Sequence, residues 1–234
     1  MANLTQLKIL EELDGFLLVD KPAGIAFSTV VKTVKRKFGL VKVGHGGSLD
    51  AMASGLFILL LNDANKFVGD VMGADRAYEG RMRLGLKTNT GDIYGEKLAE
   101  VAPTLPDPER LAKAVAEFKG DIFQVEPRFC SVRRENSAGY EVADTGEHTQ
   151  FLSHVYRLDV DLPKFSVVGS KSLLVRSLVN DFGDMLGCGA ALESVRRLRI
   201  GRFGVEKAIS FERLLEVELK DFASCVMPLR DALQ

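Results

Sequence analysis

The chain is most constrained by Leu56–Leu61, an unbroken apolar run that directly follows a stretch of small residues, GHGGSLDAMASG, at 44–55. The run is far too short to cross a bilayer. At this length and without a polar face it reads as a fully buried strand. Gly15-Phe-Leu-Leu-Val-Asp20 reads as another, ending in a polar turn at Lys21-Pro22. Such strands need a real core, and 234 residues with 46% apolar and 27% charged side chains supply one. The composition is that of an ordered globular protein rather than a disordered one.

Ser28 reads as the cap of a helix whose Val30, Val31, Val34 and Phe38 share a face, with Lys32, Lys35, Arg36 and Lys37 mostly on the other. Asp63 reads as the cap of a short helix running to about residue 72. Arg76–Gly85 alternates polar and apolar residues, as a half-buried strand does, and 87–96 is loop. Asp107 followed by Pro108 opens a helix with the apolar stripe Leu111, Val115, Phe118, ended by Gly120. Strands are expected near 122–125, 129–134, 155–162 and 165–168, with a polar loop at roughly 135–150. Ser172–Leu186 reads as a helix with Gly187 just past its end. Leu192–Arg199 reads as another short helix. Ser210–Leu219 reads as a helix whose capping box is imperfect, because Glu212 stands one residue early. Strands and helices mix without strict alternation, which favours the α+β class over a doubly wound parallel sheet. No shift in composition marks a boundary, so a single domain over 1–234 is expected, with a short tail at about 210–234.

Thirty-one basic residues against 32 acidic give a net charge of −1. A nucleic-acid surface would therefore have to arise by local clustering, not from a global basic excess. Cys130, Cys188 and Cys225 form neither a disulfide framework nor a CxxC pair, and a reduced, cytoplasmic protein is the simplest expectation. The N-terminus, MANLTQLKILEELDG, carries acids where a secretory leader has an apolar run. His45, His148 and His154 lack metal-ligand spacing, so no metal is expected.

The loop Gly44-His45-Gly46-Gly47-Ser48-Leu49-Asp50 is not a P-loop, since no GKS or GKT follows, and not a dinucleotide fingerprint, since GxGxxG is absent. Taken alone it also reads as a surface turn with a capping Asp50. Between buried segments, however, an Asp on a tight loop can serve as nucleophile or general base, given a cationic partner that keeps it ionised.

Several further motifs accompany that loop. They are Asp20-Lys21-Pro22-x-Gly24; Ala53-Ser54-Gly55; Ala64-Asn65-Lys66; Arg76-Ala-Tyr78; Leu84-Gly-x-x-Thr88-x-Thr90-x-Asp92-x-x-Gly95; Phe118-x-Gly120; Gln124-Val-Glu-Pro127-x-Phe-x-Ser131; Val175-Arg176-Ser177-Leu178 with Asp181 through Ala190; and Arg196-Arg197-Leu198 through Phe203. In this order, over roughly residues 14–215, the chain resembles the TruB family of tRNA pseudouridine synthases, whose loop reads GHTGTLDPxATG.

The resemblance implies an α+β pseudouridine-synthase core, a long, mixed, mainly antiparallel sheet flanked by helices and loops. It implies isomerisation of uridine 55 to pseudouridine in the tRNA T-loop, with base flipping, no cofactor, a tRNA T stem-loop as partner and a monomeric enzyme. By the same resemblance Asp50 is the nucleophile. Tyr78 stacks on the target base and takes part in proton removal, and Arg176 pairs with the catalytic carboxylate. His45 fills the space of the flipped nucleotide. Lys21, with Pro22, supports the active-site floor and is grouped with Leu174 and Val195 as substrate-binding. Lys35, Arg36, Lys42, Arg196, Arg197 and Arg199 are candidate phosphate contacts, although such charge runs also occur as plain solvated faces. Likewise Tyr78 alone would pass for a strand tyrosine and Arg176 for a solvated helix residue.

The chain departs from the family pattern at Ala51, where the family has Pro, and at Leu174, where it has Tyr. The chain also ends early for a relative carrying a PUA domain, so none is expected. Two alternatives accompany this reading: a pseudouridine synthase acting on another RNA uridine, and an RNA-binding or RNA-folding protein with secondary or lost catalysis.

Overall fold

A computed structural model describes residues 13–103, 105–125, 129–132, 141–144 and 150–232. In chain order, β1 (Gly15–Lys21) leads to α1 (Phe27–Phe38), β2 (Val43–His45), β3 (Ser54–Leu61), a 3-10 turn (Asn62–Phe67) and α2 (Val68–Gly73). There follow β4 (Arg76–Leu84), β5 (Leu86–Thr88), β6 (Lys97–Glu100), α3 (Pro108–Glu117), β7 (Gly120–Val125), β8 (Phe129–Val132) and β9 (Glu141–Asp144). Next come β10 (Gln150–Asp161), β11 (Lys164–Gly169), α4 (Val175–Met185) and β12 (Ala190–Ile200). The chain closes with β13 (Phe203–Gly204), β14 (Ile209–Ser210), α5 (Phe211–Glu216), β15 (Met227–Pro228) and α6 (Leu229–Ala232). It divides into two compact units, one of residues 1–74 and 198–234, the other of 75–197.

In the first unit β1 and β3 pair antiparallel along their length, from Gly15 opposite Leu61 to Lys21 opposite Gly55. β14 joins β1 in parallel and β15 joins it antiparallel, so the sheet is mixed. Alternate residues of β1 and β3 point to opposite faces, and both faces are covered. Leu17, Val19, Phe57, Leu59 and Leu61 pack with Val30, Val34 and Phe38 of α1 and with Phe211, Leu214 and Phe222. Phe16, Leu18, Leu56, Ile58 and Leu60 pack with Ala64, Val71, Ile200 and Phe203. Two-sided burial is why these strands carry unbroken apolar runs, as the sequence indicated.

In the second unit β4, β11, β10 and β7 lie side by side, each pair antiparallel, with Tyr78 opposite Val167 and Leu152 opposite Phe123. Leu178, Val179 and Phe182 of α4 are buried, and with Met82, Leu158, Val160 and Phe165 of the strands they line a small apolar cavity. α3 begins as expected: Asp107 accepts from the Arg110 N–H at 2.8 Å, with Pro108 at the first position. Helices and mixed, mainly antiparallel sheets give the α+β class.

Several local expectations are corrected. The cap of α1 is Ala26, whose carbonyl accepts from Thr29 and Val30, and Ser28 lies inside the first turn. The 3-10 turn is served from outside: the Asp14 carboxylate accepts from the Asp63 N–H at 2.8 Å, while Asp63 pairs with Lys66. α4 starts at Val175, not Ser172, whose hydroxyl donates to the Leu152 carbonyl. The segment 192–199 is not a helix but most of β12, whose backbone bridges Asp92 at Leu192 and pairs with β13 at Arg199 and Ile200. The helix of 210–219 is short, Phe211–Glu216, but Ser210 does cap it, accepting from Arg213 at 3.1 Å. The expected loop at 135–150 includes β9; its residues 135–140 and 145–149, like 133–134 of the preceding strand, lie outside the described residues.

Candidate active site

The small-residue loop of the first unit connects β2 to β3. Glycine is demanded at two of its positions. A Cβ on Gly46 would lie 2.4 Å from Val71 Cγ1, and Gly47 adopts φ 108°. The Gly46 N–H donates to the Ile58 carbonyl at 2.9 Å, tying the loop onto β3. At its far end, Lys21 lies beneath the loop with 0% exposure. Its Nζ donates to the carbonyls of Ile25 (2.8 Å), Pro22 (2.9 Å) and Ala51 (3.4 Å). The Gly24 N–H also reaches Ala51 O, at 2.7 Å. Asp50 is therefore held by its neighbours. Its carbonyl accepts from Ala53, Leu49 and Ala51 on either side are buried, and its own side chain is exposed. A carboxylate presented this way costs little entropy to orient toward a substrate. The grip on residue 51 is through its carbonyl, which any residue supplies, so the loop does not depend on a proline there. His45 is half-buried, its ring 5.2 Å from that of Phe27 and 5.8 Å from that of Phe57. Lys21, with no exposed surface, supports this loop through the carbonyls it bonds.

The second unit carries Tyr78, Leu174, Arg176 and Val195. Tyr78 stands in β4, 8% exposed, and Val195 in β12, 7% exposed. Arg76, two residues before Tyr78, is buried and donates to the Lys171 carbonyl at 2.7 Å. Arg176 lies in the first turn of α4 and is half-buried, with Nη1 donating to the Thr90 carbonyl at 2.9 Å. That carbonyl belongs to a tight knot. Thr88 Oγ1 donates to the Asp92 carbonyl (2.7 Å), and Thr90 Oγ1 (3.0 Å) and the Tyr94 N–H (2.9 Å) donate to Asp92 Oδ1. Buried polar groups satisfied in this way form a rigid platform. Leu174, half-buried, immediately precedes α4, and the Gln124 side chain bonds both its N–H and its carbonyl. Farther along α4, the Asp181 carboxyl is held above the usual carboxylate range by burial and then by Asp184, with Lys87 opposing.

Of the candidate phosphate contacts, Lys35 and Arg36 are exposed in the last turn of α1, with Lys37 beside them, and Lys42 is exposed beyond it. Cations at a helix C-terminus also complement its dipole. Arg196 and Arg199 are half-buried, and Arg199 donates to the Gly201 carbonyl. Arg197 is 1% exposed and drops out: on a strand it alternates with Arg196 and points inward, offering no surface to a phosphate. In the sequence Thr90, Asp92 and Gln124 stand only as parts of motifs. Their spacing shows no function until the chain folds them against Arg176 and Leu174. Among the described residues no group of His, Cys, Asp and Glu is placed to hold a metal ion, and no helix is long and apolar enough to cross a membrane.

Residues 35–161 match the family model of the TruB family pseudouridylate synthase N-terminal domain, and 176–234 that of the tRNA pseudouridylate synthase B C-terminal domain. The tRNA pseudouridine synthase B of Aromatoleum aromaticum is 35% identical over 229 residues, 94% of this chain and 74% of the relative. The proteins of that name from Burkholderia pseudomallei and Cupriavidus metallidurans are each 37% identical, over 86% and 87% of this chain and 69% and 68% of theirs. Among solved structures, a chain of a Cbf5–Nop10–Gar1 complex superposes with a TM-score of 0.67 at 23% identity, over 97% of this chain. A chain of the archaeal box H/ACA sRNP Nop10–Cbf5 complex superposes at 0.68 and 22%, again over 97%. This chain spans 63% of either, and at that identity the likeness is one of fold.

Proposed function

The chain belongs to the TruB family of pseudouridylate synthases, and we propose that it isomerises uridine 55 in the T-loop of tRNA to pseudouridine. The observation that carries this reading is the presentation of Asp50, an exposed carboxylate on a loop anchored from below by a buried lysine. The reaction breaks the bond from C1′ to N1 of uracil, turns the base and joins C1′ to C5; C5 gives up its proton and N1 takes one up. The target base must first leave its stack, at a cost of a few kcal/mol. Asp50 is the nucleophilic carboxylate in this proposal. Arg176 is the cationic group of the proposal, a charge of the kind that opposes protonation of a carboxylate as water is excluded. Tyr78 stacks on the flipped base and takes part in removing the C5 proton, and His45 occupies the space the base leaves. Val195 and Leu174 supply apolar wall. The phosphate contacts are Lys35, Arg36, Lys42, Arg196 and Arg199, and the partner is the T stem-loop of tRNA, bound by a monomer in the cytoplasm.

The test is tritium release from a T-arm stem-loop labelled at uracil C5. C5 must lose its hydrogen on becoming the glycosidic carbon, so release reports the rearrangement itself. Wild-type protein should release tritium, and Asp50→Asn should be slower by at least about a thousandfold, the scale of loss on removing a catalytic group. Binding without release by either protein would overturn the reading in favour of a non-catalytic RNA binder.

A further inference from the structure

Gln124 is 1% exposed at the end of β7, and both the nitrogen and the oxygen of its amide bond one residue of another element. Nε2 donates to the Leu174 carbonyl at 3.0 Å, and Oε1 accepts from the Leu174 N–H at 3.0 Å. Only one orientation of the amide satisfies both bonds, so the side chain reads the Leu174 backbone and is indifferent to its side chain. One residue further on β7, the Val125 carbonyl accepts from Ser177 Oγ at 2.8 Å. Leu174 stands at the N-cap of α4 without a side-chain cap bond, and its carbonyl also receives the helical bond from Leu178. The first turn of the helix is thus stitched to the strand at 174 and at 177, on either side of Arg176, whose guanidinium is fixed at its far end by the Thr90 carbonyl.

We propose that Gln124 is a positioning residue for Arg176: it sets the height and rotation of the helix start from which the guanidinium projects. The inference rests on Arg176 acting in catalysis as described above. A residue that acts by placing another gives a particular signature. Displacement of a catalytic group by about 1 Å can cost on the order of a hundredfold in rate, while ground-state binding is little changed. The clamp bonds only main-chain atoms of residue 174, so it forms with Leu at that position.

The experiment uses the full chain and the C5-tritiated T-arm stem-loop, with initial rates measured over a range of RNA concentrations. Gln124→Met, nearly isosteric but unable to form either bond, should lower kcat about tenfold to a hundredfold with KM within about threefold. In an Arg176→Lys background the same change should cost less than about threefold more, because groups that act as one unit are non-additive. Ser177→Ala, a smaller change, should show a weaker loss with the same non-additivity, and it carries the test if Gln124→Met does not fold. Gln124→Glu supplies a pH readout. As a neutral acid it has both an O–H donor and a carbonyl acceptor, but once ionised it cannot donate to Leu174. Its rate relative to wild type should therefore rise as pH is lowered.

Wild-type kcat in Gln124→Met or, where it does not fold, in Ser177→Ala, a rise in KM alone, or losses that multiply in full with Arg176→Lys would each overturn the inference. Those results beside an inactive Asp50→Asn would defeat the positioning role alone. Tritium release by Asp50→Asn would instead defeat the catalytic reading on which it rests.

Discussion

At the scale of single residues, buried polar groups do most of the arranging. Lys21 has no exposed surface and gives its ammonium to backbone carbonyls on both sides of the aspartate loop's anchor. Replacing it by Met keeps the apolar stem but strands those acceptors. Lys21→Met should therefore lose about 3 kcal/mol of stability in urea unfolding, with activity falling as well. A loss under about 1 kcal/mol would show that the carbonyls find other donors. Asp181 is the opposite case. Burial and Asp184 raise its carboxyl in the folded state, so folding binds a proton that the unfolded chain releases, and stability is lost as pH rises from the unfolded value through the raised one. Asp181→Asn should accordingly be more stable than wild type at pH 7, and its advantage should vanish below about pH 4, near the ordinary carboxylate value. Parallel stability curves for the two proteins across that range would contradict the assignment.

At the scale of elements, β3 is the clearest test of how the first unit is built. Leu59 and Leu60 are both 0% exposed, yet they belong to different clusters, one under α1 and one under α2. A strand covered on one face would show one costly and one cheap truncation. Here Leu59→Ala and Leu60→Ala should each cost about 2–5 kcal/mol, measured by chemical denaturation. The basic end of α1 makes a second test. Lys35→Glu with Arg36→Glu should weaken T-arm RNA binding and lower the slope of log K against log salt by up to about two, one for each phosphate no longer neutralised. An unchanged slope would return this face to plain solvation.

At the scale of the molecule, a net charge of −1 gives no general attraction to RNA. Any affinity must come from local clusters such as the end of α1. Binding of the stem-loop should nevertheless fall steeply between low and physiological salt, because counterion release depends on the phosphates neutralised and not on the protein's total charge. A flat response, measured by titration at several salt concentrations, would remove the phosphate contacts from the proposal.

The sequence by itself determined the strands β1 and β3, the amphipathic α1, the capped start of α3, the α+β class and the family. Each of these is written in neighbouring residues or in motifs kept in order. Only the tertiary structure decided the rest. Local spacing at 192–199 imitates a helix, and strand pairing with residues distant in sequence makes it β12. Arg197 looks like one more surface cation until strand alternation turns it inward. Gln124 and Leu174 are far apart in sequence and meet because β7 and the start of α4 are packed together. A hydrogen bond between distant main-chain and side-chain atoms leaves no periodicity for the sequence to show. What the structure adds is therefore mostly support: which buried groups hold the motif residues in place.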